Sequence, residues 1–368
     1  MKKIILALAT VFLLQQGTIA QLTTTPNGGN KKAMVGERVG LTDITIHYDR
    51  PAVKGREGKI WGQLVPYGFT DLGFGTSKAA PWRAGANENT TIEFSTDVKV
   101  AGKDLPAGKY GFFIATGKDE STLIFSKNNT AWGSFFYDPS EDALRVNIKQ
   151  QPLENPVEYL QYTFIDQTPN SATVALQWEK LMFPFKVETD VNKAQMTSFK
   201  KELQTDKGFD WQTWVQAANW TADNNTNLEQ GLQWAEYAIN GQFIGQKNFR
   251  TLAAKARLLN KLNKTVEADS LMKEAASLGS MAEVHGYGRQ LLADKRYKEA
   301  SEIFKANYKK FPNVYTTNVG LARSLSAEGK YKEALKYATA ALPQAPDVAN
   351  KNSIQAMIEK LNAGKDVN

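Results

Sequence analysis

Cationic, aromatic and amide side chains gather on two stretches that carry no regular hydrophobic rhythm: Arg50, Lys54 and Arg56 on the first, then Trp82, Arg83, Asn87 and Glu88 on the second. Arginine forks pair bidentately with carboxylate, sulfate or phosphate oxygens, and an indole offers its face to a sugar or a cation. Such an inventory suits a glycan or an anionic small ligand. The same residues equally suit a buried ion-pair network, Arg83 or Arg56 against Glu88 or Asp49, that pins a long loop.

Other chemistries find less to work with. The only histidines, His47 and His285, lie far apart in the chain, so no two-histidine metal site forms within one domain, and no HExxH helix exists. His47 and Asp49, two apart, share one face of an expected strand, which is ordinarily its polar face. No Gly-x-Ser-x-Gly elbow is present. Gly73-Phe74-Gly75 and Gly286-Tyr287-Gly288 are poor phosphate loops, and the second falls in an expected helix, where close packing would account for both glycines. Glu88, Glu93 and Asp97 lie close enough in sequence to supply an acid/base pair, so a carbohydrate-active hydrolase is the alternative reading. A non-catalytic binding protein, with no cofactor and no metal, is expected ahead of an enzyme.

At 368 residues the chain exceeds the ~250–300 at which single cores stop growing, so two domains are expected. Lys2 and Lys3, an apolar run from Ile4 to Leu14, and Thr18-Ile19-Ala20 have the order of a secretory signal peptide over 1–20, cleaved after Ala20. The apolar run is too short for a membrane-spanning helix, which needs about 20 residues. The absence of cysteine excludes disulfides, thiolate metal sites and a lipid-modified cysteine after the leader. A periplasmic or secreted product, not membrane-spanning, is therefore expected. A polar, Gly-rich stretch reads as a flexible tether over 21–36. Residues 21–209 carry 22 basic and 22 acidic side chains, whereas residues 210–368 carry 21 and 16. The basic excess thus belongs to the C-terminal half. Its lysines are scattered rather than in runs, which with export argues against nucleic acid and favours acidic partners.

Between Glu37 and about Asp190 the chain reads as short strands separated by turns, an antiparallel sandwich or barrel. Ile44, Ile46 and Tyr48 alternate with Thr45 and His47. Further strands are expected at 91–94, 98–100, 110–115, 122–125, 144–148, 158–165, 172–178 and 182–187. The segment Tyr48-Asp49-Arg50-Pro51-Ala52-Val53-Lys54-Gly55-Arg56, then Ile60-Trp61-Gly62, Leu64-Val65-Pro66-Tyr67-Gly68, Trp82-Arg83-Ala84-Gly85-Ala86-Asn87-Glu88-Asn89, Leu105-Pro106-Ala107-Gly108-Lys109-Tyr110 and Trp132-Gly133 resembles the bacterial DUF2911 family. That family has no known function, so the resemblance implies a fold and no mechanism. Relative to its pattern, Phe69 to Pro81 is an extra loop.

From about Asn192 the pattern turns helical, with a connecting helix expected over 191–209 and a repeat array over 210–368. Arg296-Tyr297-Lys298-Glu299-Ala300 recurs 34 residues later as Lys330-Tyr331-Lys332-Glu333-Ala334, and Pro312 recurs as Pro346. A 34-residue period with a small residue twelve before that alanine (Gly288, Ala322) resembles the tetratricopeptide (TPR) family. Weaker copies lie at Val266-Glu267-Ala268 and Leu228-Glu229-Gln230-Gly231, so three to four hairpins are expected, with 352–361 as a capping helix. The fold class is therefore α+β in two domains. Eleven residues before Ala268, Ala300 and Ala334 stand Arg257, Arg289 and Arg323. In TPR-like arrays that position lies on the first helix of each hairpin and faces the groove, where arginines would suit an acidic peptide or a C-terminal carboxylate. Trp211, Trp214, Trp220 and Trp234 are expected to pack the start of the array against the β domain. The leading expectation is an exported binding or scaffold protein of the bacterial envelope, with a groove for a peptide or protein partner.

Overall fold

The structure is a computed structural model that describes residues 29–368. It divides into one unit that ends at Asp190 and a second, Val191–Asn368. The expected leader, and the tether as far as residue 28, lie outside the described residues.

The first unit is built from two antiparallel sheets. Strands β1 (Lys31–Val39), β2 (Thr42–Arg50), β3 (Thr91–Phe94), β6 (Gly108–Ala115), β7 (Glu120–Ser126) and β8 (Asp142–Lys149) form a six-stranded sheet in the order β1-β2-β3-β6-β7-β8. Strands β4 (Val98–Val100), β5 (Lys103–Leu105), β9 (Gln151–Thr168) and β10 (Ser171–Thr189) form a second in the order β5-β4-β10-β9. Neither sheet closes into a barrel. Alternate side chains from both sheets meet in one core, with Ile44, Ile46, Ile92 and Phe112 from the first and Leu160, Leu176, Trp178 and Phe185 from the second. Burying such faces is what makes period-two sequences hold their register.

Two departures from the sequence reading have physical causes. β1 begins at Lys31, inside the segment read as a tether, and pairs along its length with β2. It is an edge strand whose residues are mostly exposed, and its inward alternation of Ala33, Val35 and Val39 is broken by Glu37 and masked by Met34 and Gly36. The two strands expected at 172–178 and 182–187 are one strand, β10, which continues through an irregularity where Glu179 adopts a positive φ of 53°.

The second unit holds ten helices among the described residues. α1 (Val191–Glu202) is followed by four hairpins: α2 (Trp211–Asp223) with α3 (Leu228–Asn240), α4 (Phe249–Lys261) with α5 (Thr265–Leu278), α6 (Met281–Ala293) with α7 (Tyr297–Lys310), and α8 (Tyr315–Ala327) with α9 (Tyr331–Ala341). α10 (Val348–Asn362) then caps α9 with Ile354, Met357 and Leu361. Each first helix stops in the same way. A residue at positive φ (Asn225, Asn263, Lys295, Gly329) lets the next N–H return to a carbonyl five residues back, as from Lys264 to Leu259 at 2.8 Å, Arg296 to Leu291 at 2.8 Å and Lys330 to Leu325 at 2.9 Å. This is the bonding of a Schellman cap, which fixes the chain reversal. Three residues into each second helix, Ala268, Ala300 and Ala334 are wholly buried, with Gly231 in the matching place on α3. The repeating alanine is thus the contact that lets the paired helices approach.

Trp214, Trp220 and Trp234 do not need the β unit for cover. They belong to one cluster with Met196 and Phe199 of α1, Phe199 lying edge-on to Trp220 at 5.5 Å and to Trp234 at 6.0 Å. The segment read as a connector is therefore part of the helical core. The two glycines of α6 also divide. A Cβ on Gly288 would sit 2.7 Å from the Phe304 ring of α7, whereas one on Gly286 would meet nothing within 4 Å. Only Gly288 is a packing glycine. Gly288→Ala is expected to cost about 1–3 kcal/mol by overpacking, and Gly286→Ala to add about 0.5–1 kcal/mol through helix propensity. Urea unfolding followed by helical circular dichroism separates the two, and equal effects would reject this assignment.

Candidate functional site

The first irregular stretch and the Phe69–Pro81 loop fold back on the sheets as ordered walls. Trp82 bonds in both directions to Ile114 of β6 (3.0 and 2.8 Å), and Thr70 and Ala80 pair across this loop (3.0 and 2.9 Å). Gly68 N–H reaches Thr116 (2.6 Å) and Ser77 N–H reaches Phe135 (3.0 Å). Main-chain groups that a loop would leave to water are satisfied here by the protein, which holds the loop in place. Between these walls lies a cleft of about 310 Å³ whose lining includes Arg56, Trp82, Arg83, Ser134 and Trp178. Behind it three indoles interlock: Trp82 and Trp178 stack at 6.1 Å, and Trp61 stands edge-on to both at 5.6 and 5.8 Å. Trp82 is fixed further by its N–H, which donates to Gly85 O at 3.1 Å.

Of the residues singled out in the sequence, the cleft brings together Arg56, Trp82 and Arg83. Their partners are main-chain carbonyls rather than acids. Arg56 donates from Nε to Val53 O (2.9 Å) and from Nη2 to Ala52 O (2.6 Å), and Arg83 donates from Nη1 to Asn87 O (2.6 Å). Among the described residues, neither enters an ion pair. Arg83 packs against Phe135 at 5.1 Å, and its half-burial lowers its pKa. Gly133, at φ 63°, leaves it the room: a Cβ there would lie 2.3 Å from the guanidinium carbon. The ion-pair network of Arg83 or Arg56 with Glu88 or Asp49 does not form. Arg50 lies apart, bonding through Nε to Leu160 O (2.9 Å), and the exposed Lys54 is anchored by its N–H to Glu158 (3.0 Å).

Asn87 and Glu88 serve the loop behind Arg83. Asn30 donates to the Asn87 side chain at 3.3 Å, and Glu88 accepts from Lys32 of β1 at 2.7 Å while lying against Asp49 of β2. Asp49 is only 4% exposed and its Oδ1 has no partner. Burial first, then a shared hydrogen bond with Glu88, pushes its carboxyl up to about 6, whereas the Lys32 bond holds Glu88 below its usual range. Neither carboxylate lines the cleft, and none of the cleft-lining residues is acidic. Two-carboxylate hydrolysis has no support there.

In the helical unit, Arg257 sits on α4, Arg289 on α6 and Arg323 on α8. Arg257 forms an ion pair with Asp223 of α2. Arg289 is exposed and has no ion-pair partner among the described residues, and Arg323 is half-buried with its Nε unbonded. Burial and the nearby Arg289 charge both lower the pKa of Arg323. His285, one turn before Arg289, completes the group; burial and the two arginine charges push it down to about 4. Its Nδ1 is buried without a partner and its ring meets Phe304 at 5.4 Å. The helical spacing of four from Arg289 was a signal for His285, whereas nothing in the sequence marked Trp178 or Asn30 as cleft residues.

Residues 30–187 match the model of a family described as a protein of unknown function, DUF2911, and residues 291–358 match a tetratricopeptide repeat model. The chain joins a DUF2911 domain to TPR repeats, and the family match begins at β1. Among solved structures, the chain is similar to "YrrB: a TPR protein with an unusual peptide-binding site" at 20% identity, over 44% of this chain and 84% of that one, with a TM-score of 0.28. It is also similar to "MamA AMB-1" at 11% identity, over 42% and 90%, with a TM-score of 0.27. No curated protein matches. Among the described residues, no group of three His, Asp or Glu is placed to hold a metal, and no helix is long and apolar enough to cross a membrane.

The Asp49 carboxyl yields a pH signature. Its unfolded value is 3.8, so the folded protein binds this proton more tightly, and its contribution to stability declines as pH rises from about 4 to about 6 and is flat above. Asp49→Asn keeps a neutral donor beside Glu88 at every pH. Between pH 4 and pH 7 the variant should gain about 5–10 °C in melting temperature on the parent. Parallel pH curves for the two proteins would refute the buried acid.

Proposed function

We propose that this protein is an exported, non-catalytic binding and scaffold protein of the bacterial envelope whose TPR array holds an acidic peptide or C-terminal carboxylate of a protein partner on its first helices. TPR repeats are protein-interaction scaffolds, and this array carries the basic excess of the chain. The observation that carries the reading is the pair Arg289 and Arg323. These residues sit on successive first helices, near enough for the Arg289 charge to lower the pKa of Arg323, and neither has an ion-pair partner among the described residues. Two like charges held together disfavour one another, and an anionic ligand reverses that cost. His285 stays neutral beside them at ordinary pH, so it adds no third positive charge.

Export rests on the Lys2-Lys3 start, the Ile4–Leu14 run and the Thr18-Ile19-Ala20 site, with a chain free of cysteine. Envelope material should begin at Gln21 on N-terminal sequencing, and a retained Met1 would oppose it.

Binding is checked by fluorescence anisotropy with a labelled hexaglutamate peptide, using hexaglutamine as the neutral control. The acidic peptide should bind and weaken as salt rises. Arg289→Ala should lower its affinity about tenfold, and Arg257→Ala should do less because Asp223 already occupies that side chain. Equal binding of the two peptides, or an unaffected Arg289→Ala variant of normal helicity, would contradict the proposal.

A further inference from the structure

The cleft of the β unit has a chemistry that the peptide groove does not use. We propose that it binds an acidic sugar, a pyranose ring that carries a carboxylate or sulfate group, through Arg56 and Arg83 with the indoles of Trp82 and Trp178 beside the ring.

The donors decide the charge of the ligand. Arg56 spends Nε and one Nη2 hydrogen on the Val53 and Ala52 carbonyls, which leaves the edge between its two terminal nitrogens open. Arg83 spends only Nη1, on Asn87, so its Nε–Nη2 edge keeps both donors. Each arginine is therefore aimed by the main chain and retains a two-donor edge of the kind that grips a carboxylate or sulfate. With no acid in the lining, both positive charges stand uncompensated in a half-enclosed site. Half-burial strengthens their pull on an anion, because screening by water is reduced.

The remaining lining decides its shape. Trp178 is 1% exposed and lines the cleft, where it backs the Trp82 indole. Trp82 is held by the Gly85 bond and by stacking on Trp178, and it gives a flat wall that suits the C–H face of a pyranose. Ser134 adds a hydroxyl to the lining. At about 310 Å³ the space lies at the lower end of small-ligand pockets, which fits one acidic ring better than a long glycan. Leu64 and Leu72 border the mouth, and Trp132, next to Gly133, is 56% exposed, which leaves apolar surface beside the cleft for a flanking sugar.

The test is calorimetric titration of the full chain with sodium glucuronate, glucose and sodium sulfate at matched ionic strength. Glucuronate should bind, with glucose and sulfate each about tenfold weaker or more, since one lacks the anion and the other the ring. Arg56→Gln and Arg83→Lys should each weaken glucuronate by about tenfold. If Arg83→Lys fails to fold, Arg56→Gln, which lies on a surface loop, decides. Glucose or sulfate binding as tightly as glucuronate, or glucuronate binding that survives both folded variants, overturns the proposal.

Discussion

The Arg83 guanidinium is held between the Asn87 carbonyl, the Phe135 ring and the space left by Gly133, and the β-unit cleft depends on that clamp. Asn87 stays in place because Asn30 bonds its side chain and because Glu88 is tied to Lys32 and Asp49. Edge strand β1 thus reaches the cleft indirectly. Lys32 fixes Glu88, Glu88 fixes the loop, and the loop aims Arg83. A carboxylate on Arg83 would have been simpler electrostatically, but it would also have consumed the edge that a ligand needs. Main-chain carbonyls orient an arginine without cancelling its charge.

The helical unit reaches a similar state by different means. Its repeats are spaced by the Schellman caps and by the buried Ala268, Ala300 and Ala334, and that spacing sets Arg289 and Arg323 on neighbouring first helices. Arg323 is partly covered by the segment that follows α10: its Nη1 lies 3.5 Å from Val367 O, and the Asn368 amide bonds the Arg323 carbonyl at 3.0 Å. Arg289 is left open. Half-buried positive charge without a paired acid lowers stability, so the fold holds these groups at a cost that a bound anion would relieve.

What the sequence revealed followed where a single periodic constraint ruled. The 34-residue period located the repeats because each hairpin must reuse the same alanine contact, and strand alternation located β2, β3 and β4 because one face is core. Legibility failed where structure depends on long-range pairing. β1 has a broken apolar rhythm, Ala33, Val35 and Val39 with Glu37 between them, and it pairs along its length with β2. Arg56, Trp82 and Arg83 could be suspected from their types, but their carbonyl partners could not, since any residue supplies a carbonyl. Trp178 reads as a core strand residue and is one; that it also floors the cleft is decided by the loops folded over it. The arginine line was legible as spacing, whereas the Asp223 bond that separates Arg257 from Arg289 and Arg323 was not.

Arg56 and Arg83, like Arg289 and Arg323, keep cationic edges that no acid among the described residues pairs with. Anomalous diffraction from crystals of the full chain soaked in bromide tests this directly, because bromide reports where uncompensated positive charge is accessible. Peaks are expected within hydrogen-bonding distance of the Arg83 Nε–Nη2 edge and of Arg289. Peaks confined to scattered surface lysines, with both arginine sites empty, would contradict it.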